Sequence, residues 1–210
     1  MSSNTKTGSA SKIKMESFDD LFGGSGAQEI GAEQIINAPL ADLHEFKDHP
    51  FKVKDDEAMA DTAESIKEYG VLVPAIARPR DEGGYELVAG HRRHRASELA
   101  GLETMPVIVR NLDDDAATII MVDSNLQREN ILPSERAFAF KLKLNAIKRQ
   151  GERTDLTSTQ VGQKSKLSVE VVAEQAGSSR NQVQRFIRLT ELIPELLDMV
   201  DDKKIAFNPA

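Results

Sequence analysis

The sequence predicts an α+β protein in which a small mixed α/β domain is followed by an all-helical domain. Short apolar strand candidates alternate with helical patterns between residues 35 and 112. After Pro133 the apolar residues recur only at helical spacing. Residues 1–34 are rich in Ser, Gly and charged side chains and show no sustained periodicity, which is typical of a disordered tail. We therefore divide the chain into a tail (1–34), an α/β domain (35–130) and a helical domain (131–210).

The α/β domain is predicted from four strand candidates and three helical patterns. The first strand candidate lies in EQIINAPL, with a turn through Pro39. A helix is predicted over residues 56–70, with Gly70 as its C-terminal stop. Its inward face is predicted to consist of Met59, Ala63, Ile66 and Tyr69. Further strands are predicted in VLVPAIARP, YELVAG and MPVIVRNL, the helix after YELVAG is predicted to end near Gly101, and DDAATIIMVDSNLQREN predicts another helix.

The helical domain begins with the pattern PSERAFAFKLKLNAIKRQG, which predicts a helix from Pro133 to just before Gly151. Its apolar stripe consists of Ala137, Phe140, Leu144 and Ile147. The polar segment TDLTSTQVGQKSKL predicts a short helix between loops. In the tail, SFDDLF (17–22) is interpreted either as a docking peptide that orders on a partner or as part of a linker.

Composition excludes several classes of protein. No apolar run reaches the length of about 18 residues that a transmembrane helix needs, and the N-terminus lacks the apolar stretch of a secretory signal. The sequence contains no cysteine, so it can form neither a disulfide nor a thiolate zinc site. We expect a cytoplasmic protein.

The net charge of −7 conceals a basic segment. Between Arg136 and Thr190 the sequence has 11 Lys and Arg against 4 Asp and Glu, a balance of +7, so the remainder carries −14. A basic segment on an acidic chain indicates contact with nucleic acid.

Within this segment, residues 168–189 predict a helix-turn-helix. Gly177 falls where the turn requires a positive φ angle, and Ser179 can cap the second helix. The packing residues are predicted to be Val172, Ala173, Ala176, Val183, Phe186 and Ile187. The residues predicted to face DNA are Ser179, Arg180, Asn181, Gln182, Gln184, Arg185 and Arg188. Arg, Asn and Gln can form paired hydrogen bonds to guanine and adenine; the alternative is a helical hairpin with a solvated polar face.

A second basic cluster lies where the strand YELVA ends and a helix begins. Gly90 is followed by His91, Arg92, Arg93, His94 and Arg95. Backbone N–H groups at the start of a helix and arginine side chains are both suited to phosphate oxygens. Three interpretations stay open: a polyphosphate ligand, contact with the DNA backbone, or pairing with acids such as Glu98 and Glu103. A metal site at the two histidines is disfavoured because the neighbouring arginines would repel the ion.

A polar cluster also interrupts the helix at residues 123–130. Its members are Asp123, Asn125, Gln127, Arg128 and Glu129. An amide and an arginine beside a phosphate site could hold Mg²⁺ and a phosphate oxygen. The alternative is a polar helix end before Pro133.

In this order the clusters and the helix-turn-helix resemble the ParB/RepB-type partition proteins of bacteria and plasmids. GHRRHRA resembles the family's G-E-R-R-x-R-A box, and SNLQREN resembles its E-N-x-Q-R-E box. The likeness continues through ILPSERA and covers roughly residues 35–210.

The resemblance implies a sulfiredoxin-like N-terminal domain that binds CTP with Mg²⁺ and a helix-turn-helix domain that binds a palindromic, centromere-like DNA site. CTP would close a homodimer into a sliding DNA clamp, and hydrolysis to CDP would release it. A ParA-type ATPase would engage the N-terminal tail, and the protein would be associated with the nucleoid or a plasmid. By matching position, the residues that would bind the nucleotide are Gly90, His91, Arg92, Arg93, Arg95, Asn125, Arg128 and Glu129, with Asn125 also contributing to Mg²⁺.

The sequence departs from the family pattern at its glutamates. His91 takes the place of the glutamate of G-E-R-R-x-R-A, and Ser124 that of the first glutamate of E-N-x-Q-R-E. The family's Q-P-R box appears only as HPF (49–51). We assign no catalytic residue, and the alternative function is a transcriptional or mobile-element accessory regulator without CTP hydrolysis. Sulfiredoxin chemistry needs a cysteine and is excluded. In the family a dimerising C-terminal domain follows, so the resemblance implies a truncated form.

Overall fold

The computed structural model describes residues 34–47, 49–128, 130–155 and 168–207, with the backbone alone for 152–155. The described strands are β1 (Gln34–Pro39), β2 (Leu43–His44), β3 (Ala75–Pro79), β4 (Tyr85–Ala89) and β5 (Thr104–Val109). The described helices are α1 (Glu57–Tyr69), α2 (His91–Leu99), α3 (Asp114–Leu126), α4 (Pro133–Asp155), α5 (Ser168–Gln175), α6 (Arg180–Leu189) and α7 (Pro194–Asp201). Residues 1–33 of the predicted tail, with its SFDDLF segment, lie outside the described residues, as do most of the predicted helix at 154–167 and Glu129. The last residue of the predicted tail, Gln34, begins β1.

The strands form one mixed sheet in the order β1-β5-β3-β4-β2. β1 pairs antiparallel with β5, and β3 pairs antiparallel with β4, while β3 with β5 and β2 with β4 are parallel. β4 lies between two partners and runs directly into α2 through Gly90. This arrangement holds the start of α2 at the end of a paired strand.

Both faces of the sheet are covered. Successive side chains of a strand point to opposite faces, and the neighbours Leu87 and Val88 of β4 are both buried. Leu87 packs on one face with Ala75, Ala77, Met105 and Val107. Its neighbour Val88 packs on the other face, where α3 and α4 contribute Ala117, Met121, Val122 and Ala139. α1 and α2 pack together around Met59, Ala63, Ile66 and Ala96.

The helical part is built around α4. Its predicted stripe is confirmed, since Ala137, Phe140 and Leu144 are buried and Ile147 packs against the same core. The core residues that the later helices contribute are Val172, Ala173, Val183, Phe186, Leu189 and Val200. No described helix, the long α4 included, combines the length and apolarity needed to cross a membrane. Together with the mixed sheet, these helices confirm the predicted fold class.

α4 joins the two predicted domains because it packs on α3 with one side and on the later helices with the other. Two ion pairs tie α3 to α4. The fully buried Lys143 ammonium contacts the Asp123 carboxylate, and the Arg149 guanidinium lies 2.6 Å from the buried Asp115 carboxylate. The boundary at residue 131 stays a prediction.

Two local predictions are wrong. Tyr69 is 63% exposed, although the helical spacing placed it inward. α1 ends at this residue, and Gly70, with a φ of 72°, turns the chain away from the core. The other error concerns Gly151, which does not end α4, because the helix continues to Asp155. A glycine inside a helix costs only about 1 kcal/mol, which packing along α4 can outweigh.

Candidate functional site

The turn into α2 requires glycine at position 90 for two reasons. Gly90 has a φ of 109° and forms the N-cap of α2 without a side chain. A Cβ atom there would lie 2.8 Å from the Cβ of Ala75. The predicted strand–glycine–helix junction is therefore confirmed, and it brings the start of α2 against β3.

The three arginines after Gly90 have different environments, and Arg95 is held by carboxylates. Its Nη2 and Nε donate to Asp55 at 2.7 and 3.1 Å, and its Nη1 donates to Glu98 at 3.1 Å. These hydrogen bonds raise the pKa of Arg95. Pairing of an arginine with Glu98 is one of the interpretations that the sequence leaves open, whereas the sequence does not predict the contact between Arg95 and Asp55.

Arg93 is held by backbone carbonyls. Its guanidinium donates to Val73 O and, at 2.8 Å, to Pro74 O, in the loop between α1 and β3. Burial lowers the pKa of this arginine. Arg93 also lines a hollow of about 410 Å³ beside the exposed apolar residues Leu72 and Val73. Its role as a triphosphate ligand stays a prediction.

Arg92 lines a different and larger hollow of about 690 Å³ together with Arg128. We call this space the Arg92–Arg128 hollow. The other cations that line it are Lys52, Lys54 and Lys203. The acids that line it are Asp56, Glu135 and Asp201. The structure thus brings together Arg92 and Arg128 of the two predicted clusters and adds three lysines that the sequence did not single out.

Each acid of the Arg92–Arg128 hollow already accepts a hydrogen bond from the backbone. Asp56 accepts from Met59 N at 2.9 Å. Glu135 accepts from Lys52 N at 2.9 Å and from Leu132 N at 3.2 Å. Asp201 accepts from Ser134 N at 2.9 Å. Among the described residues Arg92 has one carboxylate nearby, with its Nη2 3.6 Å from Asp56.

The electrostatics of the hollow favour an anion. Burial, and next the charge of Arg92, lower the pKa of Arg128. Two arginines that repel each other across a cavity gain free energy when a negative group lies between them. The arrangement can therefore bind a phosphate-bearing ligand.

His91 lines a smaller cavity of about 290 Å³ with Arg95 and Glu98 and does not line the Arg92–Arg128 hollow. It is 6% exposed, its ring centroid is 3.9 Å from that of His49, and the His49 ring in turn contacts Phe51 edge-on at 5.6 Å. Arg128 lies 5.9 Å from the centroid of the same Phe51 ring. Burial, together with the charges of His49, Arg128 and His94, lowers the pKa of His91 to about 3. The residue at the position of the family glutamate is therefore a neutral ring near pH 7.

Asn125, the predicted Mg²⁺ ligand, points into the protein. It is 3% exposed, and its Nδ2 donates to Met121 O at 2.8 Å within α3. The adjacent Ser124 is exposed, and Asp123 is engaged by Lys143. Within the described ranges no group of three or more His, Asp or Glu side chains is arranged to hold a metal ion. The metal role of Asn125 stays a prediction, as does the role of Glu129.

The helix-turn-helix has the predicted local geometry. Gly177 has a φ of 59°, and the Ser179 side chain accepts from Gln182 N at 3.2 Å, which caps α6. Val183 and Phe186 are buried, and Ile187 packs against the same core. All seven residues predicted to face DNA are exposed: Ser179, Arg180, Asn181, Gln182, Gln184, Arg185 and Arg188. Their role in DNA binding stays a prediction.

Sequence reasoning missed residues that loops and a distant helix bring to these sites. Lys52 and Lys54 belong to the segment between β2 and α1, and Lys203 follows α7. The only signal in the sequence was the lysine side chain itself, because no local motif places these residues.

The sequence comparisons point to one family. A family model described as the ParB N-terminal domain matches residues 24–126. A probable chromosome 1-partitioning protein ParB from Deinococcus radiodurans is 38% identical over 187 residues, which cover 89% of this chain and 55% of that protein. The chain spans about half the length of the curated relatives it matches.

Two solved structures of C-terminally truncated chromosome-partitioning protein ParB from Caulobacter crescentus are similar to this chain. The one complexed to the centromeric parS site is 28% identical, with a TM-score of 0.55, and the match covers 82% of this chain and 80% of that chain. The one complexed with CTP-γ-S is 30% identical, with a TM-score of 0.43, and covers 82% and 87%.

Proposed function

This chain belongs to the ParB family, and from this premise we propose that it is a partition protein that binds centromere-like DNA through α5 and α6 and CTP–Mg²⁺ in the Arg92–Arg128 hollow. The observation that carries the nucleotide half of the proposal is that Arg92 and Arg128 line the same hollow. Among the described residues their one ion pair is the contact of 3.6 Å between Arg92 and Asp56. Binding of CTP would close two copies into a clamp on plasmid or chromosomal DNA. A ParA-type ATPase would engage the N-terminal tail.

The DNA half of the proposal rests on the surface of α6. Its inward residues are buried, while its Arg, Asn and Gln side chains all lie on the exposed face. These side chains can form hydrogen bonds to base edges when the helix lies in the major groove. A relative with the same overall fold has been solved with the parS site. A palindromic site would be bound by two copies, one on each half.

The nucleotide half rests on size and charge. A volume of about 690 Å³ lies within the range of pockets for small molecules. Arg92 and Arg128 would hold the phosphates, and the backbone N–H groups after Gly90 would add donors at the start of α2. Mg²⁺ commonly takes most of its ligands from phosphate oxygens and water. Asn125, which the family resemblance implies as a Mg²⁺ ligand, does not line the hollow, so its side chain would have to leave Met121 O and turn outward to reach the ion.

The experiment that tests the function combines a nucleotide panel with selection of DNA sites. Isothermal titration with CTP, ATP and GTP, each with and without Mg²⁺, is expected to give saturable binding for CTP–Mg²⁺ alone. Selection from random-sequence duplexes is expected to return a palindrome. Binding of all three nucleotides with equal affinity, or of none, would reject the CTP assignment, and recovery of unrelated sequences would reject the DNA assignment.

A second candidate function is favoured by the chemistry of His91. The buried, neutral imidazole of His91 takes the place of the glutamate of the family's G-E-R-R-x-R-A box. The exposed Ser124 takes the place of the first glutamate of its E-N-x-Q-R-E box. Neither side chain supplies a carboxylate beside the phosphates. The chain would then be an accessory regulator that binds DNA and CTP without cleaving the nucleotide. Separation of CTP and CDP after incubation with cognate DNA distinguishes the two functions, because only a partition clamp that hydrolyses CTP accumulates CDP.

A further inference from the structure

The end of α7 forms one wall of the Arg92–Arg128 hollow. Asp201 and Lys203 line the hollow together with Arg92 and Arg128, although they lie more than 70 positions after Arg128 in the chain. α7 packs on α4 as part of the helical core, in which Val200 is buried. The hollow therefore contains residues from both halves of the protein.

A direct contact fixes this wall. Asp201 accepts hydrogen bonds from the backbone N–H of Ser134, at 2.9 Å, and from its hydroxyl group. Ser134 is the second residue of α4, so Asp201 satisfies one of the N–H groups that the start of this helix leaves without a partner. The contact holds the residues that follow α7 at the hollow.

Lys203 has an unusual backbone for a lysine. It has a φ of 59°, and it is the one non-glycine residue with a positive φ in the part of the chain that the structure describes. Lys203 N donates to Val200 O at 3.1 Å and Lys204 N donates to Met199 O at 2.9 Å. This pair of bonds forms a Schellman motif, in which glycine is the usual residue at the position of Lys203. A side chain there costs conformational energy, so the local fold alone favours glycine.

The next residue provides a contrast. Lys204 donates to the Asp202 carboxylate at 2.9 Å and does not line the hollow. Within the described ranges no ion pair involves Lys203, which lines the hollow. A lysine at a position where glycine fits better, beside a cavity lined by two repelling arginines, indicates a role for its charge.

Resting on the proposed function, we propose that Lys203 is an anion-binding residue of the Arg92–Arg128 hollow, contributed by the helical half of the protein. The bound triphosphate contacts Arg92 and Arg128 on one side and Lys203 on the other. Binding of the anion therefore also stabilises the packing of the α7 end against α4, because the contact is made only while Asp201 holds this wall in place.

Lys203→Gly separates the charge from the fold. The substitution removes the ammonium group and also relieves the left-handed strain, so the melting temperature is expected to stay equal or rise. The dissociation constant for CTP–Mg²⁺, measured by isothermal titration at low salt, is expected to rise about threefold to tenfold. The difference should shrink as ionic strength increases. Lys204→Gly is the matched control and is expected to leave the affinity unchanged.

Arg92→Ala and inorganic tripolyphosphate distinguish this inference from the proposed function. If Arg92→Ala weakens binding but Lys203→Gly binds as the unchanged chain does, Lys203 has no such role and the proposed site stands. If Arg92→Ala binds normally, or the unchanged chain binds neither CTP–Mg²⁺ nor tripolyphosphate, both the site and the role of Lys203 are rejected. If both lysine variants weaken binding equally, the effect is general charge and the inference is also rejected.

Discussion

His91 lies against His49, with ring centroids 3.9 Å apart and ring planes tilted by 40°. The two Nε2 atoms are buried, and among the described residues neither finds a hydrogen-bond partner. Burial is the largest cause that lowers the pKa of both rings, and Arg128 contributes to both shifts. The pair packs as two neutral rings at the start of α2.

This pair predicts acid sensitivity of the fold. Unfolded histidines take up protons near pH 6.5, whereas His91 in the fold has a pKa of about 3. The unfolded chain therefore binds more protons than the folded chain between these values. The contribution of His91 to the free energy of unfolding is fully present above pH 6.5. It is lost as the pH falls from 6.5 towards 3, by up to about 1.4 kcal/mol per pH unit.

His91→Phe is expected to keep the ring contact and to flatten this dependence. Denaturant unfolding at pH 7 and pH 5 measures how much free energy of unfolding is lost on acidification. This loss is expected to be about 2 kcal/mol smaller in His91→Phe than in the unchanged chain. The exposed His44, changed to Gln, is the control and should leave the loss as it is. A loss on acidification that is the same in His91→Phe as in the unchanged chain would contradict the prediction.

Asp123→Asn is expected to destabilise the fold by roughly 3 kcal/mol. The substitution leaves the fully buried Lys143 ammonium without its carboxylate. Denaturant unfolding measures the loss, and the further change of Lys143→Met should recover most of it because it removes the buried charge.

The matched control for this pair is Asp202→Asn, which removes the partner of the exposed Lys204. Exposed pairs of this kind contribute little to stability because solvent screens them, so the loss is expected to be much smaller than for Asp123→Asn. Equal losses for the two aspartate variants would show that burial of Lys143 has no special consequence.

Arg180→Ala and Arg185→Ala are each expected to weaken specific DNA binding by about 1–3 kcal/mol. Both residues lie on the exposed face of α6, so the melting temperature should change little. Fluorescence anisotropy with the selected palindrome and a scrambled duplex measures the effect. Lys67→Ala on the exposed side of α1 is the control, and unchanged affinity in both arginine variants would reject α6 as the recognition helix.

Local features of the fold could be predicted from the sequence because short-range physics determines them. The stripe of α4, the turn at Gly177 and the cap at Ser179 each depend on residues within a few positions. The glycine junction before α2 was predictable for the same reason.

The environment of each arginine could not be predicted in this way. Asp55 meets Arg95 across 40 positions of the chain, and Lys203 reaches the hollow from beyond α7. The partners of Arg93 are backbone carbonyls, which every residue carries and which therefore leave no signal in the sequence. Tertiary packing gives three similar side chains three different environments.

The most direct test of the account compares Arg92→Ala with Arg95→Ala in isothermal titration with CTP–Mg²⁺. Arg92 lines the hollow, whereas Arg95 is occupied by Asp55 and Glu98. We expect Arg92→Ala to weaken binding at least about tenfold, as loss of a charge-assisted hydrogen bond does, and Arg95→Ala to weaken it less than about threefold. Nucleotide binding that survives Arg92→Ala but is lost in Arg95→Ala would contradict the assignment of the Arg92–Arg128 hollow.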